Sequence, residues 1–275
     1  MRLNYFHNKP KAARIDVNAY LQRIAEKRET PSLHYLKSLH RSHLIHIPFE
    51  NLDIHYKQRI VLDYQKVYQK VIERGRGGFC YELNGLFYLL LANLGFECHL
   101  ISAQVKSKET GEFGKPFDHM AVVVRLEDQE WLVDVGFGAN GIITPKKIEK
   151  NTVQMDYTRY WRFITDPDEN LLLQVSDDTS TFSTMQKMTT DEKQVIEFYG
   201  MCEYHQTSPA SPFTQKKIAT RLTPEGRIIL TDRVLKILEL GTSREIPILN
   251  EDEFLSKLQQ HFGISLHQLI PRENG

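Results

Sequence analysis

Apolar residues recur through the first hundred positions at the three- and four-residue intervals of an α-helix. Asp16 stands where a cap belongs, ahead of Val17, Tyr20, Leu21 and Ile24, which share one helical face. Thr30 followed by Pro31 predicts the start of a second helix with Leu33, Leu36 and Leu39 on its inner side. Asp63 opens a third, carrying Val67, Val71 and Ile72. A fourth begins at or just after Cys80 and stops at Gly95, a residue type suited to the left-handed position past a helix end.

The pattern changes after Gly95. Stretches 97–105, 119–126 and 130–135 are short and rich in Val, Ile and Leu, which predicts strands. A polar turn separates the last two, so they form a hairpin. Further strands are expected at 160–164 and 171–175, making the middle of the chain an antiparallel sheet or small barrel. Stretches 218–222 and 227–230 flank Thr223-Pro-Glu-Gly226, a turn sequence. Asn250 caps a last amphipathic helix with Phe254, Leu255 and Leu258, ending near Gly263.

At 275 residues the chain is long enough for two or three packed parts, and 41% hydrophobic against 25% charged residues suits a globular protein. Lys+Arg and Asp+Glu both number 35, which argues against nucleic acid or an anionic membrane as partner. The longest apolar stretch, Leu86 to Leu94, is far short of the ~20 residues of a membrane span. The start of the chain shows no apolar leader core, so no secretory leader is expected. Cys80, Cys98 and Cys202 form no C-x-x-C pair, which predicts neither a disulfide framework nor a metal site and fits the reducing cytoplasm.

The most informative segment is Arg76-Gly-Gly-Phe-Cys80-Tyr-Glu-Leu-Asn84-Gly85. It puts a cysteine in the first turn of an apolar helix, where free N–H groups and the helix dipole favour a thiolate. A thiolate nucleophile needs a base, and the base needs an orienting acid. His119 begins one strand of the hairpin and Asp134 stands in the other, within reach across the pair. Asp118 is next to His119, but consecutive strand residues point to opposite faces, so Asp134 is the better orienter. Each residue alone has a plain structural reading, a buried cysteine as a small hydrophobe among them. The constellation says more than its members do. Cys98 and Cys202, in a strand and near a loop, are read as structural.

These segments resemble the arylamine N-acetyltransferase family. The resemblance rests on His46-Ile-Pro-Phe-Glu50-Asn51-Leu52, the Arg76–Gly85 segment, His119-Met, and Val133-Asp134-Val-Gly-Phe-Gly138. Ser211-Pro-Phe213-Thr and Leu222-Thr-Pro-Glu-Gly-Arg227 add to it. It implies an α+β fold: a helical bundle over 1–96 with the cysteine, an antiparallel β-barrel over 97–205 with the histidine and aspartate, and an α/β lid over 206–275. It further implies a Cys80–His119–Asp134 triad that takes acetyl from acetyl-CoA, with no metal, and passes it to a small aromatic amine or hydrazine by double displacement. Phe49, Phe137 and Phe213 would line the acceptor pocket. Gly136 and Gly138 would approach the CoA pyrophosphate, Glu50 and Arg76 would form a buried ion pair under the cysteine loop, and Asn84 would give structural support. A Cys-His-Asp amide hydrolase, or an amide synthase or transglutaminase-like enzyme on a related core, is the alternative reading. The natural acceptor, the length of the acyl donor and the oligomeric state stay open.

Overall fold

In the computed structural model, residues 13–269 are described; residues 1–12, most of the stretch read above for a leader, lie outside them. The chain opens with helices α1 (Val17–Arg23), α2 (Leu33–His46), α3 (Leu52–His55), α4 (Tyr64–Tyr68) and α5 (Cys80–Leu94), with strand β1 (Phe49–Glu50) between α2 and α3. Strands β2 (Glu97–Val105), β3 (His119–Leu126), β4 (Gln129–Val133), β5 (Lys146–Lys147), β6 (Gln154–Asp156), β7 (Arg159–Thr165), β8 (Leu171–Ser176) and β9 (Ser183–Met188) follow. Helices α6 (Tyr199–Thr207) and α7 (Pro212–Gln215) lead to strands β10 (Ile218–Leu222), β11 (Gly226–Thr231), β12 (Val234–Glu239) and β13 (Thr242–Pro247), then α8 (Glu251–Phe262) and α9 (Leu266–Leu269).

The caps explain where helices begin. Asp16 accepts from Asn18 and Ala19 N–H, and Asp63 from Gln65 and Lys66 N–H. The second helix differs from the sequence expectation: Ser32, not Thr30, is its cap, because its hydroxyl accepts the Tyr35 N–H and Pro31 stays outside. The third continues beyond Tyr68 as a π-helical turn, Gln69–Glu73, which buries Lys70, Val71 and Ile72. Gly95 ends α5 with φ at 96°, and Gly263 ends α8 at 69°. Cys202 lies within α6 and is buried, correcting its placement near a loop.

The eight central strands form one antiparallel sheet in the order β5-β4-β3-β2-β9-β8-β7-β6. It curls until its two edges meet: Gln154 on β6 accepts the Lys147 N–H of β5 at 2.9 Å and donates to the Lys147 carbonyl at 2.8 Å. Alternation along β3 gives each face its partner. Met120, Val122 and Val124 pack in the core around α5, while Ala121 and Val123 join Leu132, Trp161 and Phe163 inside the barrel. A second sheet, β1-β10-β11-β12-β13, presents Ala219, Ile228 and Leu230 to Phe254 and Leu258 of α8. Its opposite face carries Phe49 and Leu222 into the core around α5. No helix among the described residues is long and apolar enough to cross a membrane.

Candidate active site

Helix α5 is buried nearly all round, which fixes its first turn against the sheet. Cys80, at its start, is 2% exposed. Asn84 stands one turn further on, so the two side chains share a helical face. From there Asn84 Nδ2 donates to Asp134 Oδ1 at 2.9 Å and to the Met120 carbonyl at 2.6 Å, and its Oδ1 accepts the Val135 N–H at 2.8 Å. One amide thus ties the cysteine helix to both strands of the hairpin.

Asp134 lies one residue beyond β4, not within it as the sequence pattern suggested. Its Oδ1 accepts the Gly136 N–H at 3.0 Å, which turns the chain away from the ladder. Valines 122 and 133 are paired, so continuing the register sets Asp134 opposite Ala121, on the face that also carries His119. His119 Nε2 is accordingly 2.8 Å from Asp134 Oδ2. Burial pushes the Asp134 carboxyl up, but the His119 ring, the Asn84 amide and the Gly136 N–H together hold it below its ordinary value.

Cys80 behaves differently from the expectation drawn from its helix start. Burial, then the Asp118 carboxylate and the Cys202 thiol, push its thiol well up, and Asp134 adds to this. Burial is the largest of these influences.

Phe137 meets the His119 ring edge-on at 5.3 Å, and Phe49 and Phe213 lie 6.2 Å apart. Gly138, at φ 77°, lets the loop pass over Phe49, whose ring lies 3.4 Å from where a Cβ would be. The Gly136 N–H is engaged by Asp134, and a Cβ there would stand 2.8 Å from Cys80 Cα, so this glycine packs the loop on the backbone of Cys80.

Arg76 and Glu50 form the buried pair, Arg76 Nε and Nη2 lying 3.0 and 2.7 Å from Glu50 Oε1. The pair is part of something larger: Asp53, Lys70 and Glu82 join it, and Glu82 also accepts the Phe79 N–H next to Cys80. Two further residues escaped the sequence reading. His40 of α2 lies 3.1 Å from the Asp134 carbonyl and 2.9 Å from that of Ile143. Its place on the apolar face of α2, beside Leu36 and Leu39, was the available signal. Gln186 of β9 donates to Asp134 Oδ2 at 3.3 Å, and nothing in the weakly patterned stretch around it marked it. No group of His, Cys, Asp and Glu suited to a metal ion occurs among the described residues.

A buried cysteine at a helix start and a histidine–aspartate couple on the neighbouring hairpin thus lie where helices meet an antiparallel barrel. The chain belongs to the N-acetyltransferase family, whose model matches residues 32–270. It is 29% identical to arylamine N-acetyltransferase 1 of Oryctolagus cuniculus, with 95% of this chain and 98% of the relative covered. It is also 29% identical to the arylamine N-acetyltransferase of Mycolicibacterium smegmatis, over 94% of this chain and 95% of the relative. The structure of the arylamine N-acetyltransferase of M. tuberculosis superposes with a TM-score of 0.86 at 28% identity, covering 94% of this chain and 97% of that one.

Proposed function

We propose that this protein moves an acetyl group from acetyl-CoA to a small aromatic amine or hydrazine through an acetyl-Cys80 intermediate, in the cytoplasm. The observation that carries the reading is the shared Asn84 amide. It couples the cysteine helix to Asp134, and Asp134 orients His119 from 2.8 Å. His119 takes the thiol proton as Cys80 Sγ attacks the thioester carbonyl, and Asp134 stabilises the imidazolium. Collapse of the tetrahedral intermediate expels the CoA thiolate, which leaves with a proton. The amine then attacks acetyl-Cys80, losing its proton to His119, and the free thiol returns.

Rings at Phe49, Phe137 and Phe213 give an arylamine apolar surface and edge-on partners. The names of the relatives at 29% identity support the same acceptor class.

Intact-mass measurement after brief incubation with acetyl-CoA tests the proposal. One acetyl group on the wild type, none on Cys80→Ala, and discharge by an added arylamine is the expected result. Absence of an adduct while Cys80 still reacts with iodoacetamide overturns acetyl-CoA as donor. An adduct that water alone discharges as fast as the amine favours the hydrolase reading.

A further inference from the structure

The Asp134 carboxylate meets four donors, two on each oxygen. Oδ1 takes the Asn84 amide at 2.9 Å and the Gly136 N–H at 3.0 Å. Oδ2 meets His119 Nε2 at 2.8 Å and has one further partner among the described residues, Gln186 Nε2 at 3.3 Å. A carboxylate gripped at Oδ1 alone can still pivot about that point. Gln186 grips the oxygen that His119 uses.

The sheet explains how a residue so distant in sequence arrives there. Strand β2 pairs with β3 on one side and β9 on the other, so Ala103 stands between His119 and Met188. Gln186 is opposite Leu173, and residues opposed across a ladder share a face. Ala103, Leu173 and Met188 belong to the core inside the barrel. His119 and Gln186 therefore both rise from the inner face of the barrel, toward Asp134.

The Gln186 amide fits in one orientation. An oxygen turned to Oδ2 would set two acceptors against each other, so the nitrogen faces the carboxylate. Oε1 is then buried with no hydrogen-bond partner among the described residues, on a side chain that is 2% exposed. A buried acceptor left unpaired lowers the stability of the fold. The amide thus costs the barrel something, and its one hydrogen bond goes to Asp134.

We propose that Gln186 is a positioning residue for acetyl transfer: its amide pins Asp134 Oδ2, and through that oxygen it holds the His119 ring in line. This inference rests on the reading of His119 as the base for Cys80.

The test reads the His119–Asp134 bond directly. The His119 Nε2–H proton is followed by NMR, identified by its loss in His119→Gln, and its exchange with water reports how often the bond opens. Gln186→Met keeps the length of the side chain and removes both of its polar atoms. Exchange should become about tenfold faster. Acetylation of Cys80 by acetyl-CoA should slow about tenfold as the base loses its alignment. The urea midpoint should stay at or above that of wild type, because the unpaired oxygen is gone. Unchanged exchange overturns the proposal, and so does faster exchange with acetylation undiminished. Faster exchange with a lowered midpoint would mean that Gln186 serves the packing of the barrel, and overturns it too. If Gln186→Met fails to fold, Gln186→Glu decides. The introduced carboxyl donates to Oδ2 when protonated and repels Asp134 when ionised, so exchange relative to wild type should quicken as pH rises. A ratio that does not move with pH overturns the proposal. Exchange involves neither Cys80 nor a donor, so a wild type that refuses acetyl-CoA would defeat the acetyl-transfer reading and leave the hold of Gln186 on the couple to be judged by itself.

Discussion

At the scale of single residues, the site depends on how closely the loop after β4 lies on α5. Asn84 uses both its amide hydrogens and its oxygen between Asp134, Met120 and Val135. Asn84→Leu keeps most of the volume and strips those partners, each worth about 1–3 kcal/mol when left buried and unpaired. Acetylation of Cys80 should fall at least about tenfold, and stopped-flow release of CoA measures it. Gly136→Ala is more severe. Its methyl would sit 2.7 Å from Asn84 Nδ2 and 2.8 Å from Cys80 Cα, one atom pinned and the other backbone. The variant should lose activity and about 1–3 kcal/mol of stability, read as a lower urea midpoint; an active, fully stable variant would contradict this packing. The placing of Cys80 at a helix start and of His119 beside Asp134 was legible because a helix start and a hairpin are local patterns, whereas Asn84 entered only through the resemblance. The upward push on the Cys80 thiol was not legible, because it comes first from burial and then from Asp118 and Cys202, which depend on the fold.

At the scale of elements, the barrel is the part that sequence pattern described least. Strands β5 and β6 have two and three residues, too few to show alternation, and they are joined by side chains. Besides the Gln154 bonds, Lys146 Nζ lies 3.2 Å from Asp156 Oδ2, both groups almost dry. Asp156 also accepts from Ile143 and Thr144 N–H, holding the loop that follows Gly138. Lysine and aspartate in a polar stretch look like surface residues until the closure buries them. Burial lowers the Lys146 amine to about 8 against the opposing pull of Asp156, whereas in the unfolded chain it titrates near 10.5. Between those values the unfolded state holds more protons, so this group makes stability rise with pH there. Asp156→Asn leaves the ammonium unpaired and should cost about 3–5 kcal/mol at pH 7. By urea denaturation the loss should shrink at pH 9.5, where folded Lys146 is neutral. An equal loss at both values would assign the effect to the Ile143 and Thr144 hydrogen bonds.

At the scale of the whole molecule, the parts that carry the site are joined by the charged cluster beneath the cysteine loop. Glu50 comes from β1, Asp53 from α3, Lys70 from the π-helical turn, Arg76 from the loop and Glu82 from α5. Arg76 Nη1 also donates to the Gln268 carbonyl in α9 at 2.9 Å, and Gln268 donates back to Arg74, so the end of the described chain is fastened to the same point. The sequence pointed to Glu50 and Arg76 only by resemblance. Lys70, on a helix whose apolar stripe is Val67, Val71 and Ile72, reads as solvated until the π-helical turn carries it inward. Two cations face three carboxylates here, and the imbalance falls on Glu82: burial raises it to about 7 although Lys70 pulls it down. Its unfolded value is 4.5, so between 4.5 and 7 the folded state holds the extra proton and this group lowers stability as pH rises. Arg76→Met removes one of the two cations and should cost about 3–5 kcal/mol at pH 8, with Cys80 acetylation falling as the loop loosens. At pH 5.5 Glu82 is already protonated and the surplus negative charge is smaller, so the same substitution should cost less. Urea midpoints of wild type and variant at the two pH values give the difference directly. A penalty independent of pH would mean that Arg76 acts through its hydrogen bond to Gln268, by fastening α9, and not by balancing the carboxylates under the Cys80 loop.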